Sequence, residues 1–235
     1  MKTLRIALLL LICLIISSCV SKEKANQAQA HYSLGFSAMN EGDYQNAFVK
    51  FQTAIKLDSR KKEFHNALGV VYFRLDKFVE AEASFRKALS KDSDYSEAYN
   101  NLCFLYYTKK KWEDAIKNCK KALKNPLYET PDKAYYDLGN IYYRLGMFDE
   151  AVEAFNDALR RQPNRYTAYY GLALSHNAKG NYGDASSALQ KGIELDPRFK
   201  SDRTKAEAEF KAQNEKTLEE SEKKDFKDLI EILNY

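Results

Sequence analysis

One pattern of apolar and small residues returns about every 34 residues along this chain of 235 residues. Each copy has a leucine followed by a small residue, then a turn, an aromatic residue and a later alanine. The leucines that open the five copies are Leu34, Leu68, Leu102, Leu138 and Leu172. Self-similarity at a fixed period is the signature of a repeat architecture, in which each unit stacks on its neighbours.

Within each copy, the apolar residues have the spacing of two successive amphipathic helices. We expect small residues where two helix backbones approach closely, because a larger side chain there would push the helices apart. These residues are Gly35, Gly69 and Gly139 on the first helices and Ala47, Ala81 and Ala151 on the second helices. One helix pair cannot bury its own apolar face, so the pairs must stack.

The order of residues in the copies resembles the tetratricopeptide repeat (TPR), whose unit is a helix pair. The resemblance implies an all-α fold, a right-handed superhelical solenoid of about five TPR helix pairs over 31–197. Residues 198–235 are rich in Lys and Glu and are assigned to a cap helix and a charged tail. The cap helix, a feature that the open end of a solenoid needs, is predicted over 201–216. The apolar stripe of the tail over 226–235 either packs back on the repeats or contacts a partner.

The start of the chain has the features of a bacterial lipoprotein signal peptide. Lys2 and Arg5 precede an apolar run over 6–16, eleven residues long. That run is too short to cross a bilayer as a helix, which needs about 20 residues. It ends in a lipobox-type sequence, Ile-Ser-Ser followed by Cys19. We therefore expect 1–18 to be a signal peptide.

Cys19 is the predicted lipidation site, with palmitate among its acyl chains, and 19–30 is predicted to be a polar tether. The alternative is an ordinary cleaved signal peptide with a chance cysteine. Val20 stands where an Asp would favour retention in the inner membrane. The predicted location is therefore the periplasmic face of the outer membrane, where the lipid anchors the protein.

Charge and motif content argue against nucleic acid binding and catalysis. The formal charge of +4 falls to +2 when Lys2 and Arg5 are removed, and the remaining basic residues are interleaved with acidic ones. His31, His65 and His176 lie far apart in sequence, and none has a partner at the spacing of a catalytic dyad. His176 is predicted to be a core residue. Without a phosphate loop, a zinc-protease motif or a nucleophile elbow, we expect no enzyme, no cofactor and no small-molecule substrate.

Cys103 and Cys119 take the places of the glycine and the aromatic residue in the third copy, on facing helices. In an oxidising compartment they could form a disulfide, although they are about one helical turn out of step and a bridge needs Cα atoms about 4.4–6.8 Å apart. The alternative is two small apolar core residues. No metal site is predicted, because no histidine or acidic residue is expected on that interior face.

The first helix of each pair is predicted to line a concave groove that binds a protein partner. Aromatic rings would supply contact area and asparagine amides would pair with an extended peptide. The predicted groove residues are Tyr32, Phe36, Met39, Asn66, Val70, Phe73, Arg74, Asn100, Phe104, Tyr107, Tyr136, Asn140, Tyr143 and Tyr170, joined in the later copies by Arg144, Leu174 and Asn177. The two arginines could meet carboxylates. The alternative is that some of the rings belong to packing between repeats.

One link breaks the period. Between Leu102 and Leu138 the spacing widens to 36, and the link has the sequence Asn-Pro-Leu-Tyr-Glu-Thr-Pro over 125–131. With the lipobox and the repeat number, the link resembles the type IV pilus biogenesis lipoproteins of the PilF, PilW and Tgl family. The resemblance implies an outer-membrane protein that binds the pilus secretin subunit, chiefly through the first repeats, and promotes its localisation and multimerisation. The sequence itself does not report the oligomeric state, and a monomer is expected only because solenoids with a capped end are usually monomeric.

The competing interpretation is a generic periplasmic TPR lipoprotein of another envelope assembly. Barrel assembly, regulation of peptidoglycan synthesis and a different secretion system are the options. A cell-wall enzyme is disfavoured, because no catalytic pair is visible. The charged tail from Lys200 onward has no counterpart in the resemblance, so its role stays open.

Overall fold

The computed structural model describes residues 22–235, whose regular structure consists of twelve α-helices without a strand. The helices are α1 (22–40), α2 (Tyr44–Leu57), α3 (Lys62–Arg74), α4 (Phe78–Leu89), α5 (Ser96–Thr108), α6 (Trp112–Ala122), α7 (Pro131–Arg144), α8 (Phe148–Arg161), α9 (Tyr166–Ala178), α10 (Tyr182–Leu195), α11 (Arg203–Lys216) and α12 (Glu220–Ile232). The described residues form two compact units, an N-terminal unit (22–105) and a C-terminal unit (106–235). The predicted all-α fold of TPR helix pairs is confirmed.

Close approach of paired helices explains the small residues of the repeat. A Cβ atom added to Gly69 on α3 would lie 2.6 Å from the ring of Phe85 on α4. A Cβ atom added to Gly139 on α7 would likewise lie 2.6 Å from the ring of Phe155 on α8. Both distances are far below van der Waals contact, so each ring rests directly on the facing backbone, as the sequence pattern predicts.

The turn between the two helices of each pair requires a residue in the left-handed backbone region. Glycine supplies it in three pairs, at Gly42, Gly146 and Gly180, with φ of 79°, 74° and 78°. Asp76 and Lys110 take the same place in the other two pairs, with φ of 56° and 54°. Residues other than glycine carry a steric cost in this region.

The first helix begins earlier than the sequence predicts. The predicted tether over 19–30 is wrong for residues 22–30, which are helical and continue directly into the first repeat. Ala28 is fully buried against Ala54 and Phe64, so this segment is part of the N-terminal core. Residues 22–30 are rich in Ala, Gln, Glu and Lys, which favour helix even without a marked apolar period. The predicted signal peptide and Cys19 lie outside the described residues.

Two helices follow the repeats. The predicted cap over 201–216 is present as α11, and the side chain of Asp202 caps it by accepting a hydrogen bond from the backbone N–H of Lys205 at 3.0 Å. The tail forms a second helix, α12, which packs on α9, α10 and α11. Its Leu229 and Ile232 are buried. Of the two possibilities left open for the tail, the structure shows the one in which it packs back.

Each unit has an aspartate at the end of a second helix that closes the following loop. In the N-terminal unit, Asp58 accepts hydrogen bonds from the backbone N–H and the guanidinium of Arg60, at 3.1 and 2.8 Å. In the C-terminal unit, Asp196 accepts equivalent bonds from Arg198, both at 3.0 Å, and one more from the hydroxyl of Tyr170 at 2.9 Å. Asp196 is wholly buried.

Across residues 22–235, none of the helices has both the length and the apolar character that crossing a membrane demands.

Candidate partner-binding surface

The predicted groove residues fall into two sets, one in each unit, and each set is described by itself. The N-terminal groove set is Tyr32, Phe36, Met39, Asn66, Val70, Phe73, Arg74, Asn100 and Phe104. The C-terminal groove set is Tyr107, Tyr136, Asn140, Tyr143, Arg144, Tyr170, Leu174 and Asn177.

The N-terminal groove set contains exposed and half-buried aromatic side chains beside an arginine, and Phe36, Phe73, Arg74 and Phe104 are together called the exposed ledge. Phe104 is 43% exposed and its ring lies 5.3 Å from that of the half-buried Phe73. The side chain of Arg74, next to Phe73, is exposed. Phe36 is 39% exposed, with its ring edge-on to Tyr32 at 4.9 Å. These side chains offer apolar area beside a positive charge, a combination suited to a peptide with apolar and acidic residues.

Other members of the N-terminal groove set belong to the core. The ring of Tyr32 lies 4.8 Å from that of Phe64, and Met39 packs on the cluster that contains Phe51. Burial raises the pKa of Tyr32 to about 12. For Tyr32 and Met39, the alternative of packing between helices therefore describes their surroundings better than an open groove.

The asparagine amides of the N-terminal groove set are not open to a peptide backbone. Asn66 accepts a hydrogen bond from Asn101 at 2.8 Å and also bonds with Tyr95. Asn100 is buried, and its side-chain oxygen has no hydrogen-bond partner among the described residues. The sequence does not predict that Asn101 and Tyr95 bond with Asn66, because the repeat pattern does not show which polar side chains pair across helices.

The arginine of the C-terminal groove set meets a carboxylate of the same chain. Arg144 makes a two-pronged ion pair with Asp225 of α12, one contact being Nη1 to Oδ1 at 3.0 Å. Tyr143 donates a hydrogen bond to the same Oδ1 at 3.1 Å, and Tyr107 hydrogen-bonds with Arg144. The side chains of Arg144 and Asp225 are 22% and 15% exposed. Arg144, predicted to meet a carboxylate in the groove, is thus paired with a carboxylate of its own chain.

Contacts at both ends of α12 extend this arrangement along the C-terminal unit. Just before its start, Glu219 forms an ion pair with Lys110 at 2.8 Å. Beyond its end, the hydroxyl of Tyr235 donates a hydrogen bond to Asn177 at 3.1 Å. Between these ends, Phe226 packs on the same core cluster as Tyr143. The tail therefore contacts Tyr143, Arg144 and Asn177 of the C-terminal groove set.

Tyr170 and Tyr136 serve packing within the C-terminal unit. Tyr170 donates to Asp196 and has the ring of Phe210 edge-on at 5.8 Å. Burial, reinforced by the bond to Asp196, raises the pKa of Tyr170. Tyr136 has the guanidinium of Arg165 5.5 Å from its ring centroid. Asn140 is half-buried.

Two family models, both described as tetratricopeptide repeat, match this sequence. One matches residues 32–96 and 136–198, and the other matches 94–164. The chain belongs to the tetratricopeptide repeat family. Proteins of this family are typically interaction scaffolds rather than enzymes.

Solved TPR structures resemble the chain over most of its length. The structure of Pseudomonas aeruginosa PilF has a TM-score of 0.69 at 23% identity and covers 86% of this chain and 98% of that one. PilW, described as a widely conserved type IV pilus biogenesis factor, has a TM-score of 0.67 at 25% identity, covering 81% and 95%. MamA has a TM-score of 0.59 at 24% identity, covering 75% and 96%. MamA is about as similar in sequence as PilF, so the common property is the TPR fold.

Cys103 and Cys119 are buried, and both are disulfide-bonded. The prediction that no acidic residue shares their interior face is wrong, because the Asp137 carboxylate lies within 4.8 Å of the Cys119 sulfur. Asp137 lies on α7 directly before Leu138, the leucine that opens the fourth copy. The repeat pattern does not predict that the side chain at this position points inward. A sulfur in a disulfide is not the thiolate that binds a metal.

The histidines lie apart in the described part of the chain. His65 is buried, with its Nε2 atom 3.0 Å from the carbonyl oxygen of Ser59. His176 is half-buried, as predicted for a core position, with Nδ1 3.9 Å from a carboxylate oxygen of the exposed Asp184. Burial lowers the pKa of both rings. His31 is half-buried on α1.

Proposed function

We propose that this TPR protein is a lipid-anchored outer-membrane factor of type IV pilus biogenesis. It binds the pilus secretin subunit through the N-terminal groove set, and it promotes the localisation and multimerisation of the secretin at the outer membrane. Its action is physical, since its surface holds a partner and no bond is made or broken.

The exposed ledge of the N-terminal groove set is the observation that carries the binding part of this proposal. Phe36 and Phe104 expose large apolar rings, and Arg74 adds a positive charge beside Phe73. In the C-terminal groove set the corresponding arginine is already paired with Asp225. The open surface is therefore in the first repeats, where aromatic residues and arginine are the residue types that dominate binding energy.

Two sequence features support the pilus assignment. The lipobox-type sequence ending at Cys19 would place the protein at a membrane, and the link over 125–131 resembles that of pilus lipoproteins. PilW, a pilus biogenesis factor, is similar in fold over 95% of its own length. A lipid anchor confines the groove and a membrane-bound partner to one surface, which raises their effective concentration.

The first test is deletion of the gene in its native host, with secretin multimers followed as heat-resistant bands on a gel. A strain with Cys19→Ala tests the anchor. We expect multimers to be lost on deletion, and Cys19→Ala to fail to restore them at the outer membrane. Unchanged multimers and surface pili in the deletion strain would contradict the proposal and would favour another envelope assembly.

A further inference from the structure

The C-terminal helix α12 lies on the surface where a partner was predicted to bind. The tail contacts the C-terminal groove set and thereby shows the chemistry of a segment that this surface accepts. Asp225 provides a carboxylate for Arg144, and the apolar side of α12 faces the core cluster of this unit. The occupant is part of the same chain and can be compared with a docked ligand.

The apolar anchors of α12 have the spacing of a helix that docks in a groove. Phe226, Leu229, Ile230 and Leu233 stand at positions i, i+3, i+4 and i+7. Leu229 and Leu233 are buried, as is Ile232 beside this series, while Phe226 and Ile230 are partly buried and pack on the core cluster. Helices bound in grooves of other proteins are held by anchors at this spacing.

The polar contacts of α12 fall at the ends of successive first helices. Glu219 pairs with Lys110, which follows α5, and Asp225 pairs with Arg144 at the end of α7. Tyr235 donates to Asn177 at the end of α9. Together, α12 and the residues that flank it therefore contact three repeat positions through two ion pairs and one hydrogen bond, as a bound peptide could.

Two helices follow the repeats, and α11 contributes its own contacts to the end of the core. Phe210 of α11 is buried against Phe199 and Tyr170, with ring centroids 5.8 Å apart in both pairs. The segment from α11 to α12 consists of three residues, and its Leu218 is 93% exposed. Thus α11 contributes to capping the repeats, and α12 follows it after a short connection whose leucine is exposed.

We propose that the C-terminal groove set is a docking surface for an amphipathic helix with a carboxylate for Arg144, and that α12 is an intrachain occupant which such a helix replaces. The identity of the partner that supplies the helix rests on the proposed function, in which the protein binds a subunit of an envelope assembly. While α12 is bound, its connection to α11 keeps it at an effective concentration in the millimolar range. A partner helix must therefore compete with it.

The first experiment measures release of α12 in the full chain by hydrogen exchange. Asp225→Lys places a positive charge against Arg144, and we expect amide exchange over 220–232 to accelerate at least about tenfold while exchange in α3 and α4 stays unchanged. Glu220→Lys is the matched control: it makes the same charge change on the same helix, where Glu220 forms a surface ion pair with Lys223. Equal acceleration in the control would contradict the role of the Arg144–Asp225 pair.

The second experiment asks whether the uncovered surface accepts a helix from solution. The probe is a fluorescein-labelled synthetic peptide of residues 217–235, titrated against the full chain with Asp225→Lys. We expect binding at least about tenfold tighter than to the unaltered chain, whose own α12 competes. Peptides with Asp225→Lys or Leu229→Ser should bind at least about tenfold more weakly to the altered chain.

If Asp225→Lys disturbs folding of the full chain, a charge exchange between the full chain and the peptide still tests the proposal. The full chain with Arg144→Glu repels its own Asp225, and it should bind the Asp225→Lys peptide in preference to the unaltered peptide. Absence of peptide binding to both altered chains, or binding that ignores the charge at position 225, would show that α12 is a fixed structural cap. These titrations contain no secretin. The docking proposal can therefore be contradicted while the multimer assay supports the proposed function, and the proposed function can be contradicted while the titrations support docking.

Discussion

The N-terminal and C-terminal units present the same repeat positions in opposite states. Phe73 and Arg74 at the end of α3 correspond to Tyr143 and Arg144 at the end of α7, one repeat position for another. Arg74 is exposed, whereas Arg144 is largely buried beneath α12 and paired with Asp225. One repeat pattern therefore produces an open surface in one unit and a covered surface in the other, and the difference comes from a segment outside the repeats.

The largest test of this comparison removes each arginine in turn. Arg144→Ala leaves the Asp225 carboxylate without its partner in a site that excludes most water, so we expect a loss of unfolding free energy of about 3 kcal/mol. Arg74→Ala, at the exposed position, should change it by less than about 0.5 kcal/mol. Chemical denaturation followed by circular dichroism measures both. Similar losses in the two variants would erase the distinction between the units.

The loop-closing aspartates give a second comparison, with a dependence on pH. Asp196→Asn should cost about 2 kcal/mol and Asp58→Asn about 1 kcal/mol, because Asp196 is wholly buried and bonded to Tyr170 as well as to an arginine. Burial alone would raise the pKa of Asp196, but bonds from Arg198 and Tyr170 outweigh it and lower the pKa. The bond from Arg60 lowers the pKa of Asp58.

A carboxyl group whose pKa is lowered by folding stabilises the folded state above its unfolded pKa of about 3.9. That stabilisation is lost as the pH falls through the folded value. Denaturation midpoints between pH 5 and pH 2 should therefore decline less steeply in the asparagine variants than in the unaltered protein. If the midpoints of the asparagine variants decline as steeply as those of the unaltered protein, Asp58 and Asp196 do not contribute to acid unfolding.

Partner binding is expected to depend on the exposed ring of the N-terminal unit. Phe104→Ala should weaken secretin binding about tenfold, equivalent to about 1.4 kcal/mol, because an aromatic side chain loses its contact area. Val79→Ala is the matched control, since Val79 is 75% exposed on the second helix of its pair. Surface plasmon resonance with purified secretin domains measures the change. A greater loss in the control would move the binding site to another face.

Mild acid should destabilise each unit through one histidine, His65 in the N-terminal unit and His176 in the C-terminal unit. Burial lowers the pKa of His65 and of His176, so the unfolded chain takes up protons below about pH 6.5 while the folded rings stay neutral. Stability should fall with decreasing pH there, by at most about 1.4 kcal/mol per pH unit for each ring. His65→Gln and His176→Gln should each reduce this slope, as thermal melts between pH 7 and pH 5 would record.

The smallest effect concerns one of the two turns that have a residue other than glycine in the left-handed position. Asp76 has a φ of 56° where the first pair has Gly42 at 79°. Asp76→Gly should relieve the steric cost of the left-handed conformation and raise the unfolding free energy by about 0.5 kcal/mol, allowing for the greater freedom of glycine in the unfolded chain. Thermal denaturation would measure the gain. A loss would mean that the Asp76 side chain stabilises its turn.

The sequence predicts the repeats well, because each copy repeats the same steric demands. The contact of Gly69 with Phe85 and that of Gly139 with Phe155 follow from spacing alone. The start of α1 is different, because residues 22–30 precede the first copy and have no second copy for comparison. Their helix follows from local propensity and from the burial of Ala28.

The candidate site was predictable only in part. Repeat spacing identifies which residues belong to the first helices, among them Arg144, which pairs with a carboxylate of its own chain. It cannot supply the carboxylate, because Asp225 is 81 residues away and its pairing depends on how the tail folds back. The spacing also does not predict the amide pair of Asn66 and Asn101, because it does not show which polar side chains pair across helices.

The contact between a first-helix glycine and a second-helix ring also constrains how such repeats can change during evolution. At Gly139 even one added methyl group collides with Phe155, so neither position can be exchanged freely while the other stays fixed. Accepted changes must come in compensating pairs, a larger residue on the first helix with a smaller one on the second. Cys103 and Cys119 stand at these two positions of the third copy. They are the kind of coordinated exchange that such epistasis permits.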